Sequence, residues 1–187
     1  RIGTGGEDTF TQAGYAFVSQ GTRDGSDPHG ISGHPRFFSD DVDGYDTIEW
    51  IAKQPWCDGN VAMFGGSYCG ATQWLAAANE DPGPPPHLKA IIPSVINPDF
   101  WECCYRSHGA LNLSMTANKR AFQRGSDDAT YEKYMHLPLI DMGDGDSAEE
   151  NVLWKEYVSH WQYDDYWAYI GIRDKYQRIK IPVYIFA

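Results

Sequence analysis

These 187 residues are 42% apolar and 14% aromatic, which gives the chain material for a core and excludes a disordered polymer. The net charge of −11 argues against nucleic acid or an anionic membrane face as partner, and no apolar stretch approaches the length of a membrane span. Cys57, Cys69, Cys103 and Cys104 match neither a zinc pattern nor a small disulfide framework and read as free thiols.

No internal repeat is visible. No signal peptide is visible, but the start at Arg1, without a methionine, reads as a cut end, so the compartment stays open, as does the oligomeric state. Gly14 to Gln20, "GYAFVSQ", reads as a short buried strand, and the Gly-, Asp- and Pro-rich Gly21 to Pro35 as a loop. A helix follows, capped by Asp40 or Asp41, with Val42, Tyr45, Ile48 and Ile51 recurring every third residue. Pro55 ends it, and "WCDGN" turns the chain into a strand at Val61 to Phe64. An Ala-rich helix over Ser67 to Asn79, a stiff "DPGPPP" linker and an apolar strand at Ala90 to Val95 complete an alternation that implies parallel strands with crossover helices.

Beyond Asn97 the texture changes. Residues 97–178 are acidic and aromatic with helical patterns and no clear strand, and "KIPVYIFA", Lys180 to Ala187, is a strand again. The expected organisation is residues 1–96 as the first part of an α/β core, 97–178 as a helical insertion, and 179–187 as a returning core strand. That last strand is apolar and ends without turn, cap or polar tail, so the chain is expected to continue in its parent gene.

The stretch "VAMFGGSYCGATQW", Val61 to Trp74, carries the chemistry. A serine at a sharp strand-to-helix turn, with small residues around it, matches a nucleophile elbow: the turn strains the serine backbone, so its neighbours must be small. The helix behind it aims its first amides at a place where negative charge could develop. Against the short form G-x-S-x-G the second glycine is one residue late, with Cys69 in its place and Gly70 following. A phosphate loop would need Gly-Lys-Ser/Thr, and a dinucleotide fingerprint would need G-x-G-x-x-G; neither is present. The remaining alternative is that Ser67 merely caps the helix.

Asp46 to Trp74, "DTIEWIAKQPWCDGNVAMFGGSYCGATQW", resembles the CocE/NonD hydrolases, the family of cocaine esterase, Xaa-Pro dipeptidyl-peptidases and α-amino-acid ester hydrolases. In that family the elbow is G-x-S-Y-x-G, which Gly65, Ser67, Tyr68 and Gly70 fit. "GYAFVSQGTRDGSDPHG", "LKAIIPSVINPDF", "HWQYDDYWAYI" and "IPVYIFA" resemble other blocks of the family, so the likeness covers nearly the whole chain. Gly21 and Asp24 depart from it, standing where an acid and a glycine are usual.

The resemblance implies an α/β-hydrolase fold with a helical cap, and a serine hydrolase that cleaves a small ester, amide or short peptide without cofactor or metal. Ser67 would be the nucleophile and the Tyr68 backbone N–H an oxyanion donor. The second oxyanion donor, a tyrosine hydroxyl, falls ahead of Gly14, and the triad aspartate and histidine fall after Ala187, so these residues alone should show no useful turnover. His108, His136 and His160 lie in the insertion and read as surface or packing residues, and His29 and His34 sit in a loop before the nucleophile, in the wrong chain order for the triad base. Trp101 and Tyr105 are substrate-binding candidates, Tyr105 because it falls near a pocket aromatic of the family. Trp154, Tyr157, Val158 and Trp161 form one helix face that reads as core, and the acidic Asp141 to Glu150 as a solvated loop lacking EF-hand spacing. A non-catalytic relative that keeps the elbow and binds a ligand remains the alternative.

Overall fold

The computed structural model describes residues 7–22, 39–102, 106–107, 109–113, 132, 134–142 and 148–185. It divides into two compact units, residues 1–98 with 172–187, and residues 99–171.

In the first unit, α1 (Glu7–Gln12) precedes α2 (Asp40–Ala52), β1 (Val61–Gly66), α3 (Tyr68–Ala77) and β2 (Leu88–Ser94). β1 and β2 pair in parallel, with Phe64 opposite Ile92 and Gly66 opposite Ser94. A parallel pair needs a crossover, and α3 is that crossover. Its Ala-rich sequence lets it bury nearly every face: Ala71, Leu75, Ala76 and Ala77 are at most 3% exposed. With Ile48 of α2 and Leu88 and Ile91 of β2 they make the core of this unit. Glu80, just past α3, pairs with Lys175 at 3.6 Å and Arg178 at 3.2 Å, tying the helix end to the returning segment.

Three expectations from the sequence do not hold. Residues 13–22 form no strand, and Tyr15 and Val18 are 67% and 41% exposed. A strand exists only through a neighbour, and among the described residues β1 is bonded to β2 alone. Phe17 instead stacks on Phe10 of α1, which also meets Phe64 edge-on at 5.2 Å. Second, Ser39, not Asp40 or Asp41, is the N-cap of α2. Both aspartates fall in the first helical turn, where negative charge suits the helix dipole. Asp41 Oδ1 accepts the Val42 N–H at 2.9 Å. Third, the returning segment contacts β2 through one parallel bridge, Ile91 with Val183, rather than a full ladder. The Ile91 N–H donates to Pro182 O, and Ile91 O accepts from Tyr184. Pro93, the next β2 residue facing that side, has no N–H to extend the pairing.

The "WCDGN" turn forms as read: Asp58 Oδ1 accepts the Asn60 N–H at 2.9 Å, and this bond holds the Asp58 carboxyl below the usual carboxylate range. Cys57 and Cys69 are free thiols; Cys103 and Cys104 lie outside the described residues.

The second unit holds α4 (Ala148–Ser159) and α5 (Asp165–Ile170). It also has a two-residue antiparallel hairpin, Arg106–Ser107 with Ala110–Leu111, in a segment expected to lack strands. Trp154 and Tyr157 are 0% and 1% exposed, so the α4 stripe is core as expected; Trp154 packs with Met142, Leu139 and Val158 and donates its indole N–H to Leu139 O at 2.9 Å. Trp161 departs from the stripe. α4 stops at Ser159, whose hydroxyl donates back to Lys155 O, and Trp161 is 63% exposed. Asp164 then caps α5, accepting the Tyr166 N–H.

Candidate active site

β1 delivers the chain to Ser67 at the carboxyl end of the sheet, and α3 leaves from it. Ser67 occupies the N-cap position of α3, yet its hydroxyl makes no capping bond and its backbone sits at φ 54°, ψ −125°. A capping serine adopts extended dihedrals and bonds the N2 or N3 amide. Ser67 does neither, and it is exposed. A non-glycine residue at positive φ costs on the order of 1–3 kcal/mol and persists only where its surroundings over-determine it.

Those surroundings are specific. The Ser67 N–H donates to Ser94 O at 2.9 Å across the parallel pair, and Ser67 O accepts from Gly70 and Ala71 at 2.9 and 3.0 Å. Val95, directly after β2, is the other non-glycine residue at positive φ among the described residues, at 53°. The two paired strands thus end side by side in strained residues.

The late glycine has a steric reason. A Cβ on Gly70 would lie 2.5 Å from Ile96 Cγ2 and 3.3 Å from the carbonyls of Gly65 and Ser94. Gly65, at φ +150°, is already in a region side chains avoid, and a Cβ there would come within 2.7 Å of Cys69 Cβ. Cys69 is therefore tolerated where the short elbow pattern has glycine, because Gly65 across from it has no side chain.

Two supports were not visible from sequence. The Tyr68 hydroxyl donates to Asp40 Oδ2 at 2.8 Å and lies 3.4 Å from Thr22 Oγ1, tying the first residue of α3 to the first turn of α2. Asp40 is 6% exposed. Buried Gln73 bonds backbone groups of β1, α3 and β2.

Of the other candidates, Trp101 lies in the 99–171 unit, half-buried, and meets Tyr163 edge-on at 5.9 Å. Tyr105, His29, His34 and His108 lie outside the described residues. His136 is exposed. His160 bonds Asp164 at 2.6 Å and stacks on Tyr166 with centroids 4.3 Å apart, a packing arrangement within its own unit. His87, singled out by no pattern, bonds Glu49 at 2.8 Å and ties the start of β2 to α2. Among the described residues no group of three or more His, Cys, Asp or Glu side chains could hold a metal, and no helix is long and apolar enough to cross a membrane.

The X-Pro dipeptidyl-peptidase (S15) family matches residues 3–187. The chain belongs to that family. Within the S15 family and its relatives it is 43% identical over 109 residues to cocaine esterase of a Rhodococcus species, a match covering 56% of this chain and 17% of the esterase. A crystal structure of an aminopeptidase from a marine sediment archaeon of the Thaumarchaeota superposes with a TM-score of 0.59 at 27% identity, covering 86% of this chain and 27% of that one. The chain thus spans less than a third of the length of these relatives, and its parallel strand pair with helices agrees with an α/β-type fold.

Proposed function

We propose that this S15 chain carries the nucleophile of a serine hydrolase that cleaves ester or amide bonds through an acyl-enzyme on Ser67. The observation that carries the reading is the exposed Ser67 at φ 54° with no capping bond, on a turn between strand and helix. Helix capping does not account for that conformation; a hydroxyl presented to an incoming carbonyl does. Ser67 Oγ attacks the carbonyl carbon as its proton passes to a histidine base. The tetrahedral intermediate collapses, and the protonated alcohol or amine leaves. Water then releases the acid and restores the serine. Tyr68 opens α3, where backbone N–H groups point out of the helix end, and its N–H is the proposed oxyanion donor. The reading assigns neither the histidine nor its orienting aspartate to these 187 residues.

In this reading the first unit belongs to an α/β-hydrolase core. Residues 97–178 are the cap that selects substrate, with Trp101 and Tyr105 as candidate contacts. The substrate class is a small ester, amide or short peptide; cocaine esterase and the X-Pro dipeptidyl-peptidases mark the two ends of that range. In the intact protein that carries this sequence, Ser67 should be the residue labelled by a fluorophosphonate probe. Ser67→Ala should abolish labelling and hydrolysis of p-nitrophenyl acetate together. Undiminished ester turnover by that variant would overturn the assignment.

A further inference from the structure

We propose that Gln73 is a positioning residue for the Ser67 nucleophile, an inference that rests on the hydrolase reading above. Gln73 lies in the second turn of α3 and is 0% exposed. Its Nε2 donates to Gly65 O at 3.0 Å and to Cys69 O at 2.8 Å, and its Oε1 accepts the Ile92 N–H at 2.9 Å. Both donor hydrogens and the acceptor of one planar amide are therefore in use.

The three partners bracket the elbow. Gly65 is on the strand entering it, and Cys69 is in the first turn of the helix leaving it. Ile92 is on β2, whose Ser94 carbonyl accepts the Ser67 N–H. A buried methionine would fill similar space and could pack α3 on the sheet equally well. Only a neutral amide can donate twice and accept once, which fixes the angle between β1 and α3 that Ser67 must span. Holding a residue at φ 54° needs such a constraint from both sides.

The test uses the intact protein with Gln73→Met, which keeps length and loses all three bonds, and Gln73→Glu, which when ionised turns a carboxylate toward two carbonyls. Saturation kinetics of fluorophosphonate acylation and p-nitrophenyl acetate hydrolysis are measured where circular dichroism shows each variant folded. The acylation rate constant of Gln73→Met should fall ~10–100-fold while half-saturation moves by less than about twofold, because displacement of a reacting atom by about 1 Å costs up to ~10²-fold. Burial raises the pKa of an introduced Glu, so the rate of Gln73→Glu relative to the unmodified protein should rise as pH falls and the neutral acid regains one donor, whereas that of Gln73→Met should not. Amide hydrogen exchange at Ser67 and Ile92 should quicken in both variants. A wild-type acylation rate constant in folded Gln73→Met, or a loss confined to half-saturation, overturns the proposal. If the unmodified protein is not acylated at Ser67, the hydrolase reading fails by itself, and exchange decides the clamp: unchanged exchange at Ser67 refutes it. If Gln73→Met does not fold, the pH comparison within Gln73→Glu decides, and a pH-independent relative rate refutes it.

Discussion

Gly70→Ala adds one methyl at the tightest point of the elbow. The new Cβ would stand 2.5 Å from Ile96 Cγ2, against an optimum of about 3.5–4.0 Å for carbon pairs, so the Ile96 methyl must retreat by roughly 1 Å or more. Ile96 is only half-buried and can turn. The other two neighbours cannot yield so easily. The carbonyls of Gly65 and Ser94 lie 3.3 Å away, and each already holds a hydrogen bond, to Gln73 Nε2 and to the Ser67 N–H. Overpacking of this kind costs about 1–3 kcal/mol, and alanine's helix preference returns up to about 1 kcal/mol, leaving a net loss of about 0–3 kcal/mol. The effect on chemistry should be larger, because moving Ser94 O moves Ser67, and misplacement by about 1 Å costs up to ~10²-fold. Urea denaturation and fluorophosphonate labelling rates in the intact protein measure the two effects separately. Ile96→Ala removes the nearest obstacle, so Gly70→Ala with Ile96→Ala should be more stable than the sum of the single changes by at least about 0.5 kcal/mol. Wild-type stability and labelling in Gly70→Ala, or strict additivity in the double variant, would refute the packing argument.

Tyr68→Phe deletes the phenol that donates to the buried Asp40 carboxyl and should cost about 1–3 kcal/mol by denaturation, as expected when a buried acceptor loses its donor. An Asp40→Asn change on top of Tyr68→Phe should then cost less than Asp40→Asn alone. In the second unit, Trp154→Phe removes the indole N–H from Leu139 O and leaves a gap beside Met142, which should cost about 2–4 kcal/mol. Hydrogen exchange should show that loss first in residues 148–159, and uniform exchange across both units would count against it.

The elbow was legible because its requirements are local. A serine forced to positive φ between strand and helix needs small residues within a few positions on either side, and Gly65 and Gly70 satisfy that within one short segment. The same locality left capping open as an alternative. A serine at an N-cap position reads identically in sequence whether it is extended or at φ 54°, and only the backbone separates the two. The α4 stripe was legible as far as Val158 and then failed at Trp161, since residue spacing continues past a helix end that the Ser159 hydroxyl and the Asp164 cap impose. Residues 14–20 misled for a related reason: an apolar run has the composition of a strand, but the strand itself is a property of two chain segments, and no neighbour for it lies among the described residues.

The supports of Ser67 were illegible because they are long-range. Asp40 read as a cap from its place before a helix, and nothing near it in sequence names Tyr68 as its partner. Gln73 read as one more polar residue in an Ala-rich helix, although full burial and three backbone bonds make it unlike any surface glutamine. A signal was nevertheless present. Gln73 is flanked along α3 by Gly70, Ala71, Trp74, Leu75, Ala76 and Ala77, all buried, so an amide on that side of the helix has no water to bond. A polar side chain that cannot reach water must bond the backbone, and in the helix that follows a strained serine the backbone within reach is the elbow itself. Where a short, mostly buried helix carries a single long polar side chain on its buried side, that side chain is where to look for what holds the adjoining turn.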